Sequence, residues 1–280
     1  MLSVFDSHLH IIDPRFPLVA NKGYLPGNFT VLDYHSHLAD LKASQSDQNF
    51  ELVGGAIVSG SFQAYDVAYL KSALEDLGRG FVGVCQLPLD WFDTALMTDR
   101  EEQLARWNQQ GFRAVRLNLF RGDAIEWSEA DRFARRIFEM AGWHCELYVD
   151  AAQLWDTESE SLSVLGRGIS NLPAASIDHL GLSVAGLPAL IELAGRGVRI
   201  KATGFGRLPE EFDITQCLQE VARANPGALL FGTDLPGTRA PRAFQIDDLQ
   251  LLQDALQPIG GDDLVERALW RNAMAFYQAG

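Results

Sequence analysis

Short apolar runs separated by amphipathic stretches recur along the whole of this 280-residue chain, and that alternation restricts the fold more than any single motif. A short apolar run suits a strand buried on both faces, and an amphipathic stretch suits a helix packed over it. The first unit is Val4–His10, then a long loop over residues 11–29, then a helix capped by Thr30 that runs to about Lys42. Leu52–Ser59 with Tyr65–Leu77, Phe81–Leu87 with Arg100–Asn108, and Phe112–Phe120 with a helix starting at Ser128 repeat the pattern. Cys145–Asp150 follows with a weaker helix around Ser161–Leu165, then Ser176–Leu180 with Pro188–Ala194 and Val198–Thr203 with Ile214–Ala224. Leu229–Thr233 with Ile246–Leu256 is the last unit, and a further helix covers Asp262–Tyr277.

Strands alternating with helices imply a parallel sheet with right-handed crossovers. About eight such units predict a single (β/α)8 TIM barrel over residues 1–280, with an extra C-terminal helix. A doubly wound open sheet is the competing fold, but it wants a G-x-G-x-x-G turn after an early strand and the chain has none. A loop as long as 11–29, with Pro14, Pro17, Gly23, Pro26 and Gly27, is expected to be functional.

Composition narrows the partners. The chain is 47% apolar with a net charge of −14 and no basic stripe, so nucleic acid is not an expected partner, and an anionic ligand needs a local cluster of Arg or Lys. No apolar run is long enough to span a bilayer, and no secretory leader pattern opens the sequence. Cys85, Cys145 and Cys217 all fall in predicted elements without a C-x-x-C, which reads as buried reduced thiols in a cytoplasmic protein. The expected assembly is a monomer or homodimer.

Chemistry is concentrated at Asp6-Ser7-His8-Leu9-His10, at the end of the first run. Residues two apart on a strand share a face, so His8 and His10 stand together with Asp6 behind them. A lone His-x-His is more often an ordinary strand-to-loop turn, and other strands shift the balance. Parity sends Arg116 and Asn118 of strand four, Glu146, Tyr148 and Asp150 of strand five, and Lys201 and Thr203 of strand seven to the inner face, while their apolar neighbours face the helices. His179 ends strand six and Asp234 closes strand eight. A purely structural barrel fills those layers with Val, Ile and Leu. His35 and His37, also two apart, lie in a predicted helix and do not face each other, and His144 starts strand five at the opposite end, so all three read as structural. Lys201 contacts either a substrate carboxylate or, as the depth of its position favours, Glu146 or Asp150.

The ordered set Asp6-Ser-His8-Leu-His10, Phe112-Arg-Ala-Val-Arg116-Leu-Asn118-Leu, Ile177-Asp-His179-Leu-Gly181, Lys201-Ala-Thr-Gly-Phe-Gly-Arg207 and Phe231-Gly-Thr-Asp234-Leu-Pro236 resembles the amidohydrolase superfamily. The nearest branch is the one holding 2-pyrone-4,6-dicarboxylate hydrolase and sugar-acid lactonases. The resemblance implies a lactonase of aromatic or sugar-acid catabolism, with Asp234 as general base and His8, His10 and His179 around the substrate carbonyl. It further implies that Arg116, Arg121 and Arg207 hold a carboxylate of a small anionic substrate, with Tyr148 beside them. The chain departs from the pyrone hydrolase pattern in reading His179-Leu-Gly-Leu182 where an arginine follows the histidine, and Leu235-Pro-Gly237 where Trp-Pro-His is found. Arg239 or Arg242 is then the candidate for the missing carboxylate clamp.

A catalytic zinc takes three protein ligands and a water. His8, His10 and Asp234 are the candidate metal ligands, yet strand five ends at Asp150 rather than a histidine and strand four carries Arg116 rather than a lysine. The expectation is therefore no required cofactor, with one Zn2+ as the alternative. The competing functions are a zinc-dependent hydrolase or decarboxylase of the same superfamily, and a non-catalytic carboxylate- or sugar-binding barrel.

Overall fold

The computed structural model describes residues 2–44, 50–92, 97–122 and 125–278. Eight strands build one sheet: β1 Leu2–Leu9, β2 Phe50–Val58, β3 Phe81–Cys85, β4 Phe112–Asn118, β5 His144–Tyr148, β6 Ala175–Ile177, β7 Arg199–Ala202 and β8 Leu229–Phe231. Each is parallel to the next in chain order. The two ends of the sheet meet just past β8, where Asp234 N donates to His8 O at 2.7 Å and His10 N donates to Leu235 O at 2.8 Å. The result is a nearly closed TIM barrel, and the open doubly wound alternative is ruled out by that contact.

The outer shell is α1 Val31–Ser44, α2 Ala68–Leu77, α3 Met97–Gln109, α4 Trp127–Ala141, α5 Val164–Ser170, α6 Leu187–Gly195, α7 Ile214–Ala224 and α8 Ile246–Glu266. Their starts follow local chemistry. Thr30 Oγ1 accepts from Asp33 N, and Asp213 accepts from Gln216 N at 2.8 Å, each quenching a free amide of the first turn. The weak helix expected at Ser161–Leu165 is corrected. Ser161–Leu162 pairs antiparallel with Trp155–Asp156, and the helix begins only at Val164, because Ser163 acts as its cap by accepting from Gly166 N. Gly261 (φ 60°, ψ −159°) breaks the long α8, a wider turn covers Arg267–Arg271, and α9 runs over Asn272–Tyr277.

Two apolar bodies hold the barrel. The larger lies between the sheet and the helices; the smaller fills the lower barrel interior with Phe5, Val58, Val84, Ala114 and Leu230, closed by Ala273 and Tyr277 of α9. Phe5 stacks on Tyr277 at 5.5 Å between ring centroids. The ladder of β1 shifts register between Val4 and Phe5 and again between Asp6 and Leu9, so strict alternation does not run through this strand. Asp6 accepts from Thr233 N at 2.8 Å, Thr233 Oγ1 at 2.6 Å and Tyr34 Oη at 3.0 Å. It ties β1 to the end of β8 and to α1. The three cysteines are free and buried, and burial pushes the Cys85 thiol up to about 12. Among the described residues no helix is long and apolar enough to cross a membrane.

Candidate active site

The C-terminal ends of the strands gather the polar residues that parity assigns to the interior. His8 and His10 lie edge to face with ring centroids 5.0 Å apart, and the His179 ring is 4.7 Å from that of His8. Asp234 points a single oxygen, Oδ1, among them: Nε2 of His10 is 3.6 Å away, Nε2 of His8 3.9 Å and Nε2 of His179 4.0 Å. These distances exceed direct hydrogen bonds, so the oxygen is encircled by imidazoles without being tied to one.

His179 and Asp234 lie beyond the last ladder residues of their strands, Ile177 and Phe231. Both have left-handed backbones, φ 52° and φ 59°, which cannot continue a ladder. A non-glycine residue in that region is strained by about 1 kcal/mol or more. Two glycines make room for this arrangement. A Cβ on Gly204 (φ 65°) would sit 2.6 Å from His179 Nδ1, and one on Gly232 would sit 2.6 Å from the His8 backbone nitrogen.

Hydrogen bonds orient the rings. His10 Nδ1 is 2.7 Å from Val58 O, and a carbonyl only accepts, so Nδ1 carries the proton. In the neutral ring, Nε2 then turns a lone pair toward the Asp234 carboxylate. His179 Nδ1 is 2.8 Å from Thr203 Oγ1. His8 Nδ1 lies 3.4 Å from both Lys201 Nζ, a donor, and Asp178 Oδ1, an acceptor, while its Nε2 is buried with no hydrogen-bond partner. Burial lowers the basicity of His8 well below the ordinary imidazole range and that of His179 to about 3. Burial alone would raise the Asp234 carboxyl, but the Arg207 guanidinium and His179 outweigh it and hold it well below the usual carboxylate range.

Arg207 grips Asp234 with two nitrogens, Nε to Oδ2 and Nη2 to Oδ1 at 3.0 Å. Arg116 does the same to Asp178, with Nε at 3.0 Å and Nη2 at 2.9 Å from Oδ2, and its Nη1 donates to Ser59 O at 3.0 Å. Below them Lys201, fully buried, pairs with Glu146 and donates to Ser7 O, and Tyr277 Oη donates to Glu146 Oε1 at 2.5 Å. Above them opens a narrow cleft of ≈ 40 Å³ that exposes Arg116, Arg121, Arg207 and Arg239. It shares Arg116, Asn118 and Arg121 with a wider basin of ≈ 670 Å³. Tyr148 stands in its wall, with the Arg116 guanidinium 5.0 Å and the Arg121 guanidinium 5.9 Å from its ring centroid.

The structure thus brings His8, His10, His179, Asp234, Arg116, Arg121, Arg207 and Tyr148 to one mouth. Asp150 stays out of it: its side chain accepts from Ala152 N and Ser183 Oγ. Arg242 is also elsewhere, paired with Asp248 at the start of α8. His144 sits at the barrel floor against Glu146, Phe276 and Tyr277. Asp178 is the residue that sequence reasoning passed over. It is fully buried between Arg116, His8 and Lys201, and its place two residues after inward-facing Ser176 was the signal.

The arrangement can also hold a cation. Ligand atoms of His8, His10 and Asp234 lie within 4.8 Å of one another. Their edges of 3.6 and 3.9 Å are a little longer than the about 3.3 Å edge of a tetrahedral zinc site with 2.0–2.1 Å bonds. The unpartnered His8 Nε2 and the lone pair that His10 turns on the carboxylate both fit an electrophile between them.

Eight parallel strands delivering buried imidazoles and a carboxylate to their C-terminal mouth define a TIM-barrel hydrolase. The chain belongs to the amidohydrolase family, whose profile matches residues 5–279. No curated protein matches it. Among solved structures it is similar to a candidate 2-pyrone-4,6-dicarboxylic acid hydrolase from Pseudomonas putida, at 24% identity and a TM-score of 0.74, covering 99% of this chain and 98% of that one. A second such candidate, from Acinetobacter baumannii with citric acid bound, shares 19% identity at a TM-score of 0.72 over 98% and 99% of the two chains. An amidohydrolase from Burkholderia multivorans with bound zinc shares 19% identity at a TM-score of 0.68 over the full length of both.

Proposed function

We propose that this protein hydrolyses a lactone, or a comparable cyclic ester, of a small carboxylate-bearing substrate. The observation that carries the reading is one carboxylate oxygen ringed by three imidazole Nε2 atoms beneath an arginine-lined cleft. The citric acid in the Acinetobacter relative is consistent with a small anionic ligand.

In this reading the substrate carboxylate enters between the guanidiniums, which suit bidentate recognition. Arg121 meets it, and Arg207 turns from Asp234 to the incoming carboxylate. Arg116, anchored by Asp178, adds its charge. Releasing Asp234 from Arg207 removes the main influence that holds its proton affinity down, so the base strengthens only when substrate is present. Asp234 then takes a proton from water as the water oxygen attacks the ring carbonyl. Nε2–H donors of His8 and His179 stabilise the oxyanion, and His10, whose Nδ1 proton is held by Val58 O, joins them only when its Nε2 is protonated as well. The tetrahedral adduct collapses, the bond to the ring oxygen breaks, and Asp234 returns its proton to that oxygen, giving the open hydroxy acid. A divalent ion held by His8, His10 and Asp234 would polarise the carbonyl and acidify its bound water.

The test is a lactone panel including pyrone dicarboxylates and aldonolactones, assayed with and without chelator. Turnover that survives chelation supports the carboxylate-and-imidazole mechanism. Turnover lost on chelation and restored by zinc selects a zinc-dependent hydrolase of the family, the second reading, which the unpartnered His8 Nε2 favours. Binding of lactones or sugar acids without turnover selects a binding barrel.

A further inference from the structure

Four guanidiniums open on the cleft, but they are not equivalent. Arg116 is neutralised by Asp178 and Arg207 by Asp234. Arg121 and Arg239 have no carboxylate partner among the described residues, in a chain with 37 acidic side chains. Arg239 is nevertheless moored. Its Nη2 donates to the Asn21 backbone carbonyl, its guanidinium lies 4.3 Å from the centroid of the Tyr24 ring, and its backbone is left-handed at φ 60°. Asn21 and Tyr24 belong to the long loop after β1, where they bridge each other backbone to backbone. A freely solvated arginine needs none of these fixtures, and holding so flexible a side chain forfeits rotamer entropy. Arg242, three residues on, shows the alternative: both its terminal nitrogens are 2.7 Å from Asp248, and it does not line the cleft.

Arg121 follows β4 and Arg239 follows β8, strands four places apart in a ring of eight, so the two guanidiniums reach the cleft from opposite sides of the mouth. Each lies near an aromatic ring, Tyr148 and Tyr24 respectively. Stacking on a ring occupies the face of a guanidinium and leaves edge N–H groups for an anion.

We propose that Arg239, fixed by Asn21 and Tyr24, is an anion-binding residue of the cleft. It works across the mouth from Arg121 and takes an oxyanion group of the substrate that Arg207 and Arg116 do not. This assignment deepens the anionic-substrate reading and rests on it, but it can be tested without any turnover. Citrate is the probe, and calorimetric affinity at low ionic strength is the readout.

Wild-type protein should bind citrate saturably. Losing one charge-assisted contact in R239Q should weaken binding roughly tenfold or more, R121Q should do the same, and R242Q should bind as wild type. R239K keeps the charge without the fork and should retain more affinity than R239Q, which separates a charge role from simple loosening of the loop. Wild-type-like citrate affinity in R239Q, equal losses in R242Q and R239Q, equal losses in R239K and R239Q, or no saturable binding by the wild type would each overturn the assignment. A lactone panel without hits would leave it standing, and an inert R239Q would leave the lactonase reading standing.

Discussion

Asp234 concentrates most of the chemistry into one carboxylate: three imidazoles face Oδ1, and Arg207 holds both oxygens. D234N removes the base but keeps the size, so turnover should drop by roughly a thousandfold or more while substrate or citrate affinity is largely kept. Steady-state kinetics beside calorimetry checks it, and near wild-type turnover would end the role of Asp234 as base. Gly204 tests the geometry from the other side. G204A forces a Cβ to 2.6 Å from His179 Nδ1 at φ 65°, so it should displace that ring and lower kcat by at least about tenfold. An unchanged kcat in a folded G204A protein would show that the position of His179 is not critical. At this scale the sequence was informative wherever a strand is regular. Arg116, Tyr148 and Lys201 face inward as alternation requires. It was less informative at Asp178, which stands beside His179 in the chain and meets Arg116 and Lys201 only in the fold, and at Asp6, which staples the barrel seam and lies outside the ring of imidazoles.

The terminal helix α9 is the element whose role is least local. Tyr277 reaches Glu146 across 131 positions of sequence and, with Ala273, closes the floor beneath the site. Glu146 is buried; burial would raise its carboxyl, but Lys201 pulls it below the ordinary value. Breaking a buried pair by removing one partner strands the other charge, at about 3–5 kcal/mol. K201M should therefore destabilise by that order in denaturant unfolding. The double variant K201M/E146L should recover much of the loss, since no lone charge remains. A double variant no more stable than K201M would mean that packing around Lys201, rather than its charge, is what matters. Y277F keeps the stacked ring and removes one donor to Glu146, with an expected loss of about 1 kcal/mol.

The whole molecule carries a buried cluster of titrating groups that makes its stability depend on pH. His8, His144 and His179 are held neutral by burial, so below pH 6.5 the unfolded chain takes up protons that the folded one refuses. Their contribution is present above 6.5 and is lost as pH falls, toward about 3 for His179. Asp234, Asp178 and Glu146, all depressed, add losses of the same sign below about pH 4. Asp6 runs the other way. Burial raises it to about 6, so its contribution is complete below 3.8 and disappears as pH rises through 6. Three imidazoles against one carboxyl predict a Tm that falls between pH 7 and pH 4. A thermal denaturation series across that range decides it, and a flat or rising Tm would overturn the balance.

The periodicity of the sequence determined the barrel, because each apolar run must be covered by the amphipathic stretch that follows it and eight such units close on themselves. It also determined which face of a regular strand is polar, since alternation is a local geometric property. Only the tertiary structure decided which charges meet. Asp178 with Arg116, Glu146 with Lys201 and Tyr277, and Arg239 with the β1 loop are pairings across tens to hundreds of residues, set by how strands and loops stack around the ring. The local pattern fixes the direction in which a side chain leaves its element, and the partner it meets there depends on the closure of the whole barrel.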